Sequence, residues 1–300
     1  MASTPDSSCD WLFVYGLLKR GQPAAPLLCQ GHRWGRGCLS GFALHDLGTY
    51  PMAVPAVGSI HGEWWLVPQA LLQALDAYED VPDEYRRQAV TAPAGGRGWI
   101  YVGAPGRAAG SPRIALADWG TQPLFSYGTN LLPERLFSRC PGWDREGWVA
   151  ELPGWRWALC KRRLTRPASA AAGLIPDPSA SCWGVVSHLS PCDLARLDDV
   201  EGVRLGHYRR AVVSVRHGTD QSLPVFTYLP LPHRLVHGLP VADDYAAAVV
   251  AGARQMSLPS PWTAWLVDQC QSLSDRCRAP AGGHRDRGRL ARSNGRRSRS

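Results

Sequence analysis

The sequence predicts an α+β protein built from two tandem copies of one unit, each a small mixed β-barrel. Three observations carry this expectation. "LFVYG" at Leu12–Gly16 returns as "LFSYG" at Leu124–Gly128, 112 residues later. The segments that follow it return in the same order, the signature of an internal repeat. In each copy, short apolar and β-branched runs outnumber helical patterns, which favours a small barrel-like sheet with few helices. A length of 300 residues suits two domains. A hydrophobic fraction of 45% with 13 tryptophans indicates a globular chain.

Each copy opens with a strand ending in Tyr-Gly, at Tyr15-Gly16 and Tyr127-Gly128. A loop leads to a short strand, "FALHDL" at Phe42–Leu47 answering "WALCKR" at Trp157–Arg162. A further strand follows, with Gly62 of "HGEWWLVP" matching Gly184 of "CWGVVSHLSP". Next comes a short helix, "PQALLQALDAYED" or "SPCDLARLDDVEG", whose leucines recur at helical spacing. Ser190 is a suitable N-cap with Asp193 three residues on. The helices end at Glu79 and Glu201, 122 residues apart, and the Tyr-Arg-Arg triplets 85–87 and 208–210 begin the next strands. "WIYV" and "FTYL" close the copies. The second copy adds two helix-like segments, "DDYAAAVVAGARQM" and "SPWTAWLVDQCQSL". The domains are expected at 10–115 and 122–270, joined by the Gly-, Pro- and Ala-rich "APGRAAGSPRIALADWGTQ".

Residues 276–300 hold nine arginines and one aspartate, so the net charge of +8 belongs to this tail and the remainder sums to zero. The tail has almost no apolar residues to offset the entropy of ordering, and is expected to be disordered. Any contact with nucleic acid through it would be weak, electrostatic and nonspecific. Nine scattered cysteines without C-x-x-C pairs suit a reducing compartment. No apolar run approaches the ~18 residues of a membrane span, and the start "MASTPDSSCD" does not resemble a signal peptide. The expected location is the cytoplasm, with no membrane partner.

Three chemically suggestive features recur in both copies: the Tyr-Gly turn, the acid at the helix end, and the tyrosine after it. Glu79 and Glu201 stand where the helix dipole disfavours negative charge, which raises a carboxyl pKa towards that of a general base. With "YGTN", "LDDVEGVRLGHYRR" and "YAAAVVAGARQMSLP", the chain resembles the γ-glutamylcyclotransferase superfamily, whose members share a Tyr-Gly-[Ser/Thr]-[Asn/Leu] loop and an L-D-x-x-E-G segment. "VYGLLKRGQP", "HDLGTYPMAVP" and "LDAYEDVPDEYRR" make the first copy resemble the γ-glutamylamine cyclotransferase branch. The likeness covers about residues 11–270.

The resemblance implies a small-molecule γ-glutamyl amide as substrate, cyclised to 5-oxoproline with release of the amine. Glu201 and Glu79 would be the catalytic general acid/base residues. Tyr127, Gly128, Thr129 and Asn130 would bind substrate in one domain, and Tyr15, Gly16, Leu17 and Leu18 in the other, with Tyr208 and Tyr85 beside them. Loop amides would hold the carboxylate or the developing oxyanion. No cofactor or metal is required. The first copy departs from the pattern at Leu17 and Leu18, so Glu201 is expected to be the stronger base. Other chemistries lack their marks: there is no H-E-x-x-H zinc motif, no G-x-S-x-G elbow and no P-loop. The remaining alternative is a noncatalytic binding module that keeps its cavity for a γ-glutamyl ligand or partner.

Overall fold

The near-unbroken apolar run Trp11–Val14 forms a strand buried on both faces, as expected of a central strand. The computed structural model describes residues 9–163, 165–166, 168–218 and 221–278. Strand β1 (Cys9–Val14) pairs antiparallel with β3 (Pro51–Pro68) and parallel with β5 (Arg97–Gly103). With β2 (His32–Asp46) and β4 (Tyr85–Thr91) outermost, the sheet order is β2-β3-β1-β5-β4. Helix α1 (Gln69–Tyr78) buries Leu71, Leu72 and Leu75.

The second copy repeats this plan with β6 (Gln122–Ser126), β7 (Gly147–Arg162), β8 (Ala170–Leu189), β9 (Tyr208–His217) and β10 (Gln221–Pro230). Its strands follow the same circular order and close into a barrel, the seam being a β7–β9 pairing at Glu151 and Arg216. Helix α3 (Pro191–Val200) is capped by Ser190, whose Oγ accepts the Asp193 N–H at 3.0 Å. Helix α2 (Pro133–Arg139) has no α-helical counterpart in the first copy. Helices α4 (Asp243–Gln255) and α5 (Ser260–Arg278) complete the second domain. Among the described residues no helix is long and apolar enough to cross a membrane. Helix α5 runs to Arg278, so it includes the first residues of the predicted tail; 279–300 lie outside the described residues.

The strands around "FALHDL" and "WALCKR" are far longer than the sequence suggests, 15 and 16 residues. Register shifts at Arg33/Gly35, Ser40/Phe42, Pro153/Trp155 and Leu159/Lys161 break the two-residue alternation that would have revealed them. The matched glycines have a shared cause. A Cβ on Gly62 would lie 2.4 Å from the Val14 carbonyl, and one on Gly184 2.3 Å from that of Ser126. In both copies the bare backbone lets the long strand cross the residue leading into Tyr-Gly.

The linker packs between the domains. Ile114 N–H donates to Leu44 O at 2.8 Å and His61 N–H to Ala117 O at 2.8 Å. Asp118 is buried and receives Lys19 Nζ at 2.5 Å, His188 Nδ1 at 2.8 Å and Thr121 Oγ1 at 2.6 Å. Burial opposes its ionisation, but Lys19 and His188 outweigh that and hold its carboxyl well below the usual range. The His188 ring lies 5.0 Å from that of His61. Burial, then His188, pushes His61 down to about 3, so it is neutral. Arg36–Asp144 at 2.7 Å and Arg33–Glu146 also join the two domains.

Candidate active site

The repeat builds two pockets by the same hydrogen-bond scheme. In the amino-terminal domain Tyr15 Oη donates to Tyr101 O at 2.8 Å and accepts Ala53 N–H at 3.1 Å. Tyr101 Oη donates to Asp76 at 2.8 Å. In the carboxy-terminal domain Tyr127 Oη donates to Tyr228 O at 2.5 Å, and Tyr228 Oη to Asp198 at 2.7 Å. Each loop tyrosine is thus pinned to the closing strand, whose own tyrosine is pinned to the helix before the glutamate. Tyr101, Tyr228, Asp76 and Asp198 were not among the expected site residues. Their one sequence signal is recurrence, and a strand tyrosine is otherwise read as core.

Tyr85 and Tyr208 hold the neighbouring strands, donating to Pro51 O at 3.1 Å and Ala172 O at 2.8 Å. The glycines make close approach possible. A Cβ on Gly16 would stand 3.0 Å from Pro51, and one on Gly128 3.3 Å from the Tyr245 hydroxyl. The loops then turn, with Lys19 N–H donating to Gly16 O and Leu131 N–H to Gly128 O. Among the described residues nothing accepts from the amides of Leu17, Leu18, Thr129 or Asn130. Leu18 itself packs into the core, and Leu17 is half-buried.

Both glutamates sit at helix C-caps. Glu79 N–H donates to Leu75 O and Glu201 N–H to Leu197 O, each at 2.9 Å. Left-handed residues follow both, Asp80 at φ 49° and Gly202 at φ 68°. Their surroundings differ. Glu79 shares a cavity of about 290 Å³ with Tyr15, Gly16, Leu17, Leu18, Tyr78 and Tyr85. Burial there pushes its carboxyl up to about 7. Glu201, with Tyr127–Asn130 and Tyr208, lines a cavity of about 210 Å³. Its Oε1 accepts Asn130 Nδ2 at 3.0 Å and lies 3.5 Å from Arg139 Nη1, which also donates to Asn130 Oδ1. An arginine from α2 thus pairs with Glu201, a contact that Glu79 lacks among the described residues.

Residues 12–121 match the family described as "Gamma-glutamyl cyclotransferase, AIG2-like", and residues 181–266 the "AIG2-like family". A putative gamma-glutamylcyclotransferase of Vibrio cholerae is 41% identical over 92 residues, spanning 30% of this chain and 79% of its own. The chain belongs to the γ-glutamylcyclotransferase superfamily. Another relative, the family protein YtfP of Escherichia coli, is 36% identical over 91 residues, 30% of this chain and 80% of its own. Mouse gamma-glutamylcyclotransferase is 26% identical over 141 residues, 46% of this chain and 73% of its own. The chain therefore carries two domains of this superfamily in tandem.

Proposed function

We propose that this chain converts γ-glutamyl amides to 5-oxoproline and a free amine, with Glu79 as general acid/base. The observation that carries this reading is Glu79 itself: a carboxylate near neutral pKa, without an ion pair among the described residues, beside loop amides that have no acceptor. The substrate's α-ammonium is no nucleophile until a proton leaves it. Glu79 takes that proton, and the amine nitrogen attacks the γ-carbonyl carbon to close the five-membered lactam. As the carbon–nitrogen bond to the leaving amine breaks, Glu79 gives its proton to the departing nitrogen and takes the second proton from the ring nitrogen, leaving a neutral lactam and a free amine. Amides of Leu17 and Leu18 stabilise negative charge on the substrate. Because the nucleophile is internal, holding one conformer supplies much of the acceleration.

One observation favours a different role for the second domain. The Arg139–Glu201 contact suits a pocket kept for binding more than for proton transfer. The test is release of 5-oxoproline by the purified full chain from a panel of γ-glutamyl amides. Equimolar 5-oxoproline and free amine are expected from at least one of them. Ligand binding without any 5-oxoproline would make the whole chain a binding module.

A further inference from the structure

The Tyr-Gly loops of the two domains are anchored in different ways. Leu131 and Leu132 end the carboxy-terminal loop and rest on helix α4 of the same domain: a Cβ on Gly252 would lie 2.4 Å from the Leu132 nitrogen. Lys19 and Arg20 occupy the matching places in the amino-terminal loop, 112 residues earlier. Among the described residues that domain has no helix corresponding to α4. Charged residues stand where the second copy uses leucines.

Both charged positions lead across the domain boundary through buried carboxylates. Lys19 Nζ lies 2.5 Å from Asp118 of the linker, whose other oxygen accepts His188 Nδ1–H at 2.8 Å. The Trp148 indole N–H can only donate, at 3.4 Å to His188 Nε2, so the His188 proton sits on Nδ1 and is given to Asp118. The second path starts at the Arg20 N–H, which donates to Glu63 at 2.9 Å. Glu63 accepts Arg33 Nη2 at 3.1 Å, and the same nitrogen donates to Glu146 of the second domain at 2.7 Å. Lys19, Asp118, Glu63 and His188 are all buried. Buried ion pairs contribute little net stability compared with apolar packing, and their use here is to fix geometry. Because Gly16 O accepts the Lys19 N–H, holding residues 19 and 20 also holds the Leu17 and Leu18 amides inside the turn.

We propose that the carboxy-terminal domain positions the Tyr-Gly loop of the amino-terminal one. His188 and Glu146 are the positioning residues, acting through Asp118–Lys19 and through Arg33–Glu63. This rests on the cyclotransferase reading of that loop. The amino-terminal pocket is complete only in the tandem chain, and the second domain serves it whether or not its own cavity turns substrate over.

Hydrogen exchange of the full chain reads the loop directly. In His188→Leu and in Glu146→Gln, the amides of residues 19–24 are expected to exchange about tenfold or more faster, the worth of one charge-assisted hydrogen bond. Those of residues 131–132 should keep wild-type rates. His188→Asn, whose side-chain N–H can replace Nδ1–H, should restore slow exchange. Arg156→Gln, which breaks a surface ion pair with Asp177, should change neither loop. On a γ-glutamyl amide of neutral amine, the first two variants should raise KM about tenfold and keep kcat within about twofold of wild type. Glu146→Gln decides the matter if His188→Leu does not fold. Unchanged exchange at 19–24 in a folded variant, or equal acceleration in both loops, overturns the proposal. Failure of the cyclotransferase reading would show separately, as absence of 5-oxoproline from every γ-glutamyl amide, whatever the exchange rates do.

Discussion

Glu79 and Glu201 occupy equivalent C-caps, and their difference lies in one neighbour. Arg139 stands 3.5 Å from Glu201, whereas Glu79 is surrounded by tyrosines and the loop backbone. A base must be unprotonated to accept a proton, so turnover through Glu79 should rise with pH. With the carboxyl at about 7, kcat/KM on a neutral-amine γ-glutamyl amide should climb across pH 6–8 with a midpoint near that value. A rate profile flat through this range would contradict the role given to Glu79. The two glutamates were legible in the sequence because repetition marked them. The contact that sets them apart was not, because Arg139 belongs to a helix that the first copy lacks and so left no matched pair to notice.

At the scale of elements, the glycines that let long strands cross the Tyr-Gly lead-in set a tight tolerance. Gly62→Ala or Gly184→Ala drives a methyl into a backbone carbonyl and the ring of Phe13 or Phe125. Overpacking of this kind costs roughly 1–3 kcal/mol, to be read as a lowered denaturation midpoint. An unchanged midpoint would show that the strands relax apart freely. The linker gives a second test. Lys19 ends the Tyr-Gly turn and is held by Asp118, so Asp118→Asn leaves a buried ammonium without its counter-charge. Removing one partner of a buried pair costs about 3–5 kcal/mol, and the loosened loop should raise KM more than it lowers kcat. Asp118 was invisible in the sequence because "ALADWGTQ" reads as spacer, and its partners come from Lys19 and His188, remote in the chain. The long strands were missed for a local reason: bulges and glycines in "RWGRGCLSGF" hide the alternation.

For the whole molecule, the interface between the domains carries a pH dependence whose sign can be worked out. His61 is neutral in the folded chain, at about 3, against about 6.5 when unfolded. Below about 6.5 the unfolded chain takes up a proton that the folded chain refuses, so stability falls as pH drops towards 3. Asp118, held well below the usual carboxylate range, adds to the loss at the acid end. Denaturation midpoints should therefore decline steadily from pH 7 to 4, and His61→Gln should flatten the upper part of that decline. The repeat made the two-domain plan readable from sequence, since each copy carries its own strands, helix and acid. How the copies dock was not readable, because the residues that join them are unmatched between the copies. The central claim is that the amino-terminal pocket performs the cyclisation through Glu79. Its most direct measurement is 5-oxoproline release from one γ-glutamyl amide of neutral amine by the wild-type chain, Glu79→Gln and Glu201→Gln. The account predicts a loss of ~10²–10⁴-fold in Glu79→Gln, with Glu201→Gln close to wild type; full activity in Glu79→Gln together with loss in Glu201→Gln would contradict it.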